Sequence, residues 1–179
     1  IWNRYQRTAD LAINKDKDLS GREAGLLAYW PLNQGMGELS EEKVQQRNAF
    51  IHTPWAIEPA TRSIVFNGSS FVKIPGTAFT ENQDFTVEFW FKHTGGNGRT
   101  SLLSNGVNAD GSEDHSLEWA IELNELGQVE LVQDGVTFSA VAKPVNDHKW
   151  HHFAMVVNRI GNTAFYLDNE LRKPLPPEA

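Results

Sequence analysis

The chain has 179 residues, 40% of them apolar, including six Trp and ten Phe; this is enough for one folded domain with a real core and crowded for two complete ones. A formal net charge of −7 without a stripe of Lys and Arg argues against nucleic acid, and the lack of cysteine excludes disulfides, thiolate metal sites and thiol nucleophiles. No apolar run reaches the length of a membrane span and the first residues do not read as a signal peptide, so this segment is not expected to insert into a membrane.

Taken in chain order, Thr8 is placed to cap a short helix through Ala9, Asp10, Leu11, Ala12 and Ile13 toward Lys15, followed by a charged loop over residues 15–23. Ser40-Glu41-Glu42 offers a second helical start, too short to persist alone. Beyond this the pattern is β. Segments 63–66, 71–74, 85–92, 128–133 and 150–158 are rich in β-branched and aromatic residues. Turn pairs punctuate them, among them Asn67-Gly68, Gly95-Gly96, Asn105-Gly106, Asp134-Gly135 and Asp168-Asn169. Alternation places Phe85, Val87, Phe89 and Phe91 on one face, expected to be core, and Thr86, Glu88, Trp90 and Lys92 on the other. In segment 150–158 both alternating sets are largely apolar, which predicts a strand near the centre of a sandwich. The tail Lys173-Pro174-Leu175-Pro176-Pro177 cannot continue a ladder, because proline lacks the donor.

The segments that begin at Gly25, Ser63, Phe85, Trp150 and Phe165 form five motifs that, in this order, resemble the laminin-G-like jelly rolls of the concanavalin A-like superfamily, which include the pentraxins. Gly25-Leu26-Leu27-Ala28-Tyr29-Trp30-Pro31-Leu32 is similar to the family's opening strand; Ser63-Ile64-Val65-Phe66-Asn67-Gly68 with Phe71-Val72-Lys73-Ile74-Pro75 is similar to its next hairpin. Phe85-Thr86-Val87-Glu88-Phe89-Trp90-Phe91-Lys92 resembles the central strand, and Trp150-His151-His152-Phe153-Ala154 with Phe165-Tyr166-Leu167-Asp168-Asn169 the pair that closes the core. The resemblance implies an all-β fold, a two-sheet antiparallel β-sandwich (jelly roll), here with a short N-terminal helix. The family's usual last strand and helix resemble Ile1-Trp2-Asn3-Arg4 and the helix from Thr8, which here stand first. Residues 1–24 are therefore expected to be the end of a preceding repeat, and residues 25–179 a domain lacking its own closing strands. Either the chain is a piece of a tandem array, or the leading strand completes the same sandwich in permuted order; a sheet edge left bare would invite aggregation.

Three constellations bear on chemistry. The resemblance extends to glycoside hydrolases that use Glu-x-Asp-x-Glu on one strand face; here Glu118 and Glu122 flank Ala120, and loss of the middle acid leaves the two-carboxylate mechanism incomplete. His151 and His152, adjacent on a strand, face opposite sides and cannot share a metal; a buried histidine bonded to backbone is the expected role. The loop over residues 105–115 carries Asn108, Asp110, Glu113 and Asp114, hard oxygen donors of the kind calcium requires. The resemblance to pentraxins implies a ligand at Asp114, with further ligands from a later loop this chain does not contain. Asp110 and Asp114 are thus the candidate calcium ligands and Ca2+ the candidate cofactor, against the reading of a plain acidic loop. The expected function is non-catalytic: a recognition module of a secreted or cell-surface multidomain protein that binds a glycan or an extracellular protein and touches neighbouring domains of its own polypeptide. The alternatives are a structural spacer in a tandem adhesin or toxin and a degenerate glycoside hydrolase.

Overall fold

The computed structural model describes residues 1–52, 55–58, 61–74, 83–95, 98–105, 119–133, 136–141 and 143–172. Within them lie one helix, α1 (Thr8–Asn14), and thirteen strands. These are β1 (Leu39–Ser40), β2 (Ala49–His52), β3 (Trp55–Glu58), β4 (Thr61–Ile64), β5 (Phe71–Lys73), β6 (Phe85–Lys92), β7 (Thr100–Ser104), β8 (Ala120–Leu123), β9 (Val129–Gln133), β10 (Val136–Val141), β11 (Trp150–Val157), β12 (Ala164–Leu167) and β13 (Glu170–Leu171). The pairings are antiparallel, as the turn punctuation predicts. The chain divides into two compact units, residues 1–87 with 156–159 and residues 88–155 with 160–179.

In the first unit the leading residues are built into the sheet. Trp2 bridges Leu26 on one side and Thr86 on the other. Its N–H donates to the Thr86 carbonyl at 2.8 Å and its own carbonyl accepts from the Thr86 N–H at 3.0 Å, while the Asn3 N–H donates to Gly25 O at 2.9 Å. The Trp2 side chain is 1% exposed. Ile1 to Asn3 thus pairs within this chain, covering an edge that would otherwise expose unpaired backbone groups. The expected opening strand from Gly25 shrinks accordingly to a bridge at Leu26.

The helix starts one residue earlier than Thr8 suggests. Arg7 is the N-cap, because Asp10, third in the helix, reaches back to the Arg7 backbone N–H at 3.3 Å and to its Nε at 3.0 Å. Leu11, wholly buried, anchors the helix. No helical turn forms at Ser40: it pairs with Ala49 in β1–β2, and the buried Glu42 carboxylate folds the following turn onto itself by accepting the backbone N–H groups of Val44 at 2.7 Å and Gln45. The Tyr29 N–H also donates to it, at 2.9 Å. The expected hairpin of segments 63–66 and 71–74 is not made either. β4 pairs β3 and β5 pairs β2, giving a two-stranded β3–β4 sheet and a three-stranded sheet of order β1-β2-β5.

The second unit contains two four-stranded sheets, ordered β10-β9-β8-β7 and β13-β12-β11-β6, the latter including the ends of β6 and β11 that belong to the first unit. This is a jelly-roll β-sandwich, the fold class expected from the sequence. Its core takes Ile121, Leu123, Val129 and Leu131 from one sheet and Phe153, Met155, Phe165 and Leu167 from the other, all buried. β11 is buried from His151 through Val157 and lies between β12 and β6, as its two apolar faces predict. At the β12–β13 hairpin Asp168 and Asn169 hold φ of 54° and 67°, the two left-handed residues that a primed two-residue turn demands.

β6 departs from the simple in-and-out expectation. Phe85 and Val87 are buried, yet so is Thr86, whose hydroxyl donates to Arg4 O at 2.9 Å. Phe89 and Phe91 are half-buried, and Trp90 is exposed. The strand is covered on both faces at its start because the leading residues pair along Thr86.

Candidate functional site

The register of the β1-β2-β5 sheet sorts its side chains cleanly. Leu39, Phe50 and Lys73 stand in one cross-strand row, and His52 and Phe71 in the next, all on one face. The opposite face holds Ser40, Ala49 and Ile51, which are buried, and the half-buried Val72. The first face is open. Phe50 is 49% exposed and Phe71 43%, and Leu39, His52 and Lys73 are exposed as well. The His52 and Phe71 rings stack at a centroid distance of 4.5 Å with 29° between planes, which lays the imidazole over the phenyl group. An exposed pair of phenylalanines with a stacked imidazole and an ammonium offers apolar area and polar hydrogen-bond donors together.

None of these residues was singled out as functional from the sequence. Ala49-Phe50-Ile51-His52 alternates, but both alternating sets contain apolar residues, so the pattern does not say which is turned outward; Phe71 and Lys73 come from a strand some twenty residues on.

A second aromatic group lies on β6 and β11. The exposed Trp90 packs at 5.3 Å on His152, and Lys92 Nζ sits 5.4 Å from the centre of the Trp150 ring. Its rings are engaged with neighbours of the same sheet.

Of Glu118 and Glu122, the structure describes the second. Glu118 lies outside the described residues. Glu122 stands directly across from Glu130 on β9, a repulsive pair that Arg99 relieves: its Nε bonds Glu122 at 3.1 Å and its Nη2 bonds Glu130 at 2.7 Å. Asn124, just past the end of β8, donates to Glu130 at 2.8 Å. Burial opposes the charge of Arg99, but these carboxylates outweigh it and raise its pKa above the ordinary value.

His151 and His152 are buried and face opposite sides, but their partners are carboxylates as well as backbone. His151 Nδ1 lies 2.9 Å from Asp168 and its Nε2 3.0 Å from Asp147. His152 Nε2 lies 3.2 Å from Glu88, and the Asp168 carboxylate also accepts the His152 backbone N–H at 3.0 Å. The expected backbone-bonded histidine is corrected at His151, whose ring bonds two carboxylates; Asp168 is distant in sequence, so local spacing could not announce it. Among the described residues no group of three or more His, Asp or Glu is placed to hold a metal. The candidate calcium ligands Asp110 and Asp114 fall in residues 106–118, outside those described. No helix among the described residues is long and apolar enough to cross a membrane.

Comparison with known proteins bears on fold first. Residues 66–174 match the family model Laminin_G_3, described as the concanavalin A-like lectin/glucanases superfamily. No curated protein matches the sequence. Among solved structures, the binding domain of Paraclostridial Mosquitocidal Protein 1 superposes with a TM-score of 0.62 at 16% identity, over 83% of this chain and 40% of that one. The carbohydrate binding module CBM66 from Bacillus subtilis gives 0.46 at 16% identity, over 73% of this chain and 80% of that one. The binding domain of Botulinum neurotoxin DC, in complex with rat synaptotagmin II, gives 0.47 at 14% identity, over 82% of this chain and 39% of that one. The chain spans about two fifths of the mosquitocidal protein's binding domain.

Proposed function

The chain belongs to the concanavalin A-like lectin/glucanases superfamily, and on that footing we propose that it is a non-catalytic recognition module whose ligand is a glycan bound on the open face of the β1-β2-β5 sheet. The observation that carries this reading is the exposed Phe50 and Phe71 beside the stacked His52. Sugars present a C–H face that packs on aromatic rings and a rim of hydroxyls that need donors and acceptors, and this sheet face supplies both. Two large exposed rings on one small sheet also expose apolar area that has no role in holding the fold. The shared fold with a binding domain, that of the mosquitocidal protein, agrees with a binding role.

Hydrolysis finds less support. Of the pair Glu118 and Glu122, which already lacks the middle acid at Ala120, Glu122 is bound by the Arg99 guanidinium that also binds Glu130, an arrangement that favours a salt-bridge role for it over a catalytic one. A location outside the cell or on its surface, a place in a larger multidomain protein, and calcium held by Asp110 and Asp114 belong to the same proposal. The calcium part is checked by calorimetric titration of the chain and of its D110N/D114N variant with Ca2+.

The test is a glycan array probed with the chain and with Phe50→Ala/Phe71→Ala. The chain should bind a restricted set of glycans, and the double variant, folded by circular dichroism, should lose them. Retained binding by that variant would overturn the placement of the site.

A further inference from the structure

The charge on this face narrows the ligand class. In a chain carrying 23 Asp and Glu and a net charge of −7, the outward row of β1, β2 and β5 holds no carboxylate: it reads Leu39, Phe50, Lys73, then His52 and Phe71. Glu38 and Glu41, the nearest acids in sequence, lie outside β1, and Glu41 is taken up by Lys43 at 3.0 Å. Lys73 stands directly across from Phe50, and the imidazole of His52 stacks on Phe71.

We infer, resting on the glycan reading above, that the ligand is built of uronic acid residues, the ring C–H face lying on Phe50 and Phe71 and the carboxylate meeting Lys73. One ammonium matches one carboxylate per sugar ring. A heavily sulfated chain would need a cluster of basic residues, which this face lacks. A neutral glycan would take only uncharged hydrogen bonds from the ammonium, weaker than the charge-assisted one that a carboxylate makes with it. The ring nitrogens of His52, set by the stack, are left to exchange hydrogen bonds with sugar hydroxyls.

The experiment is isothermal titration calorimetry of the full chain with hexagalacturonate, with its fully methyl-esterified form, and with hexaguluronate, at low and high NaCl. The ester keeps the backbone and stacking face and removes the charge. Hexagalacturonate or hexaguluronate should bind, the acid at least about tenfold tighter than the ester, since a charge-assisted hydrogen bond of typical strength is worth that ratio. Raised NaCl should narrow the difference. Lys73→Gln should abolish the preference for acid over ester, and Lys73→Arg should restore most of it. Lys73 is exposed on an edge strand, so neither change threatens the fold.

Equal binding of acid and ester, or a preference that survives Lys73→Gln, would overturn the inference. If uronates fail but neutral glycans bind and are lost in Phe50→Ala/Phe71→Ala, the uronate assignment falls while the glycan reading stands. If no glycan of either class binds, both fall.

Discussion

His151 has both ring nitrogens facing carboxylates, Asp168 at 2.9 Å and Asp147 at 3.0 Å, in a side chain 5% exposed. It ties the residues that enter β11 to the turn that follows β12. Hydrogen bonding to His151 is the main cause that lowers the pKa of Asp147; for Asp168 burial opposes, but the bonds from His151 and from the His152 N–H outweigh it and lower the pKa as well. A carboxylate depressed in the native state contributes stability that is fully present above its unfolded pKa of about 4 and is lost as pH falls through the lower native value. The melting temperature should therefore hold down to about pH 4 and drop below it. Asp168→Asn keeps a residue that tolerates the left-handed backbone and removes the charge; since Asp168 is partly exposed and screened, the cost at pH 7 should be about 1–2 kcal/mol, with a shallower acid limb in melting curves. An unchanged acid limb would remove the carboxylates from the account. At Gln6 the opposite sign is expected. Its side chain is fully buried, and neither amide atom has a hydrogen-bond partner among the described residues. Replacement by the similarly shaped Met should raise stability by about 1–3 kcal/mol in chemical denaturation. A loss would mean that the amide is satisfied in solution.

Among the elements, the leading strand carries the clearest expectation. Trp2 is bridged on both sides and Gln6 N–H reaches the Thr86 hydroxyl at 3.2 Å, so deleting residues 1–7 would bare the β6 edge at Thr86 and open the space filled by an indole. The truncated chain should melt well below the intact one or aggregate, seen by calorimetry and light scattering. On β6 and β11 truncation should grade with burial. Phe153→Ala, wholly buried between Phe89 and Phe165, should cost about 3–5 kcal/mol, and the half-buried Phe89→Ala about 2–3 kcal/mol. Equal costs would mean that the outer half of β6 is buried more deeply than its exposure indicates. These elements were the legible ones. Long strands with strong alternation or two apolar faces, such as β6 and β11, announce themselves because eight residues dense in aromatic and β-branched side chains demand burial, even where the burial does not follow strict alternation. The short strands β1 to β5 do not: two to four residues carry too little periodicity, and whether β4 meets β3 or β5 depends on pairing across the chain.

At the scale of the whole molecule, the sequence identifies the fold class through ordered motifs but says little about the site, because a binding face is defined by register and exposure. The acids that drew attention in the sequence, Glu118 and Glu122, are one residue outside the described set and one residue committed to Arg99, while the open aromatic face drew none. The two faces make opposing claims on function, and one variant separates them. Glu122→Gln/Glu130→Gln removes both partners of a guanidinium that is 47% exposed, so water replaces the lost bonds and stability should shift by less than about 1 kcal/mol. If the ligand lies on Phe50, His52, Phe71 and Lys73, its affinity should be unchanged in this variant. The chain should also show no turnover of β-glucan or galactan with or without the substitution, measured as released reducing ends. Affinity lost in the double variant would move the ligand to the Arg99 face. Turnover by the intact chain that vanishes in the variant would replace the recognition module with a hydrolase, because only a reaction that uses these carboxylates could respond in that way.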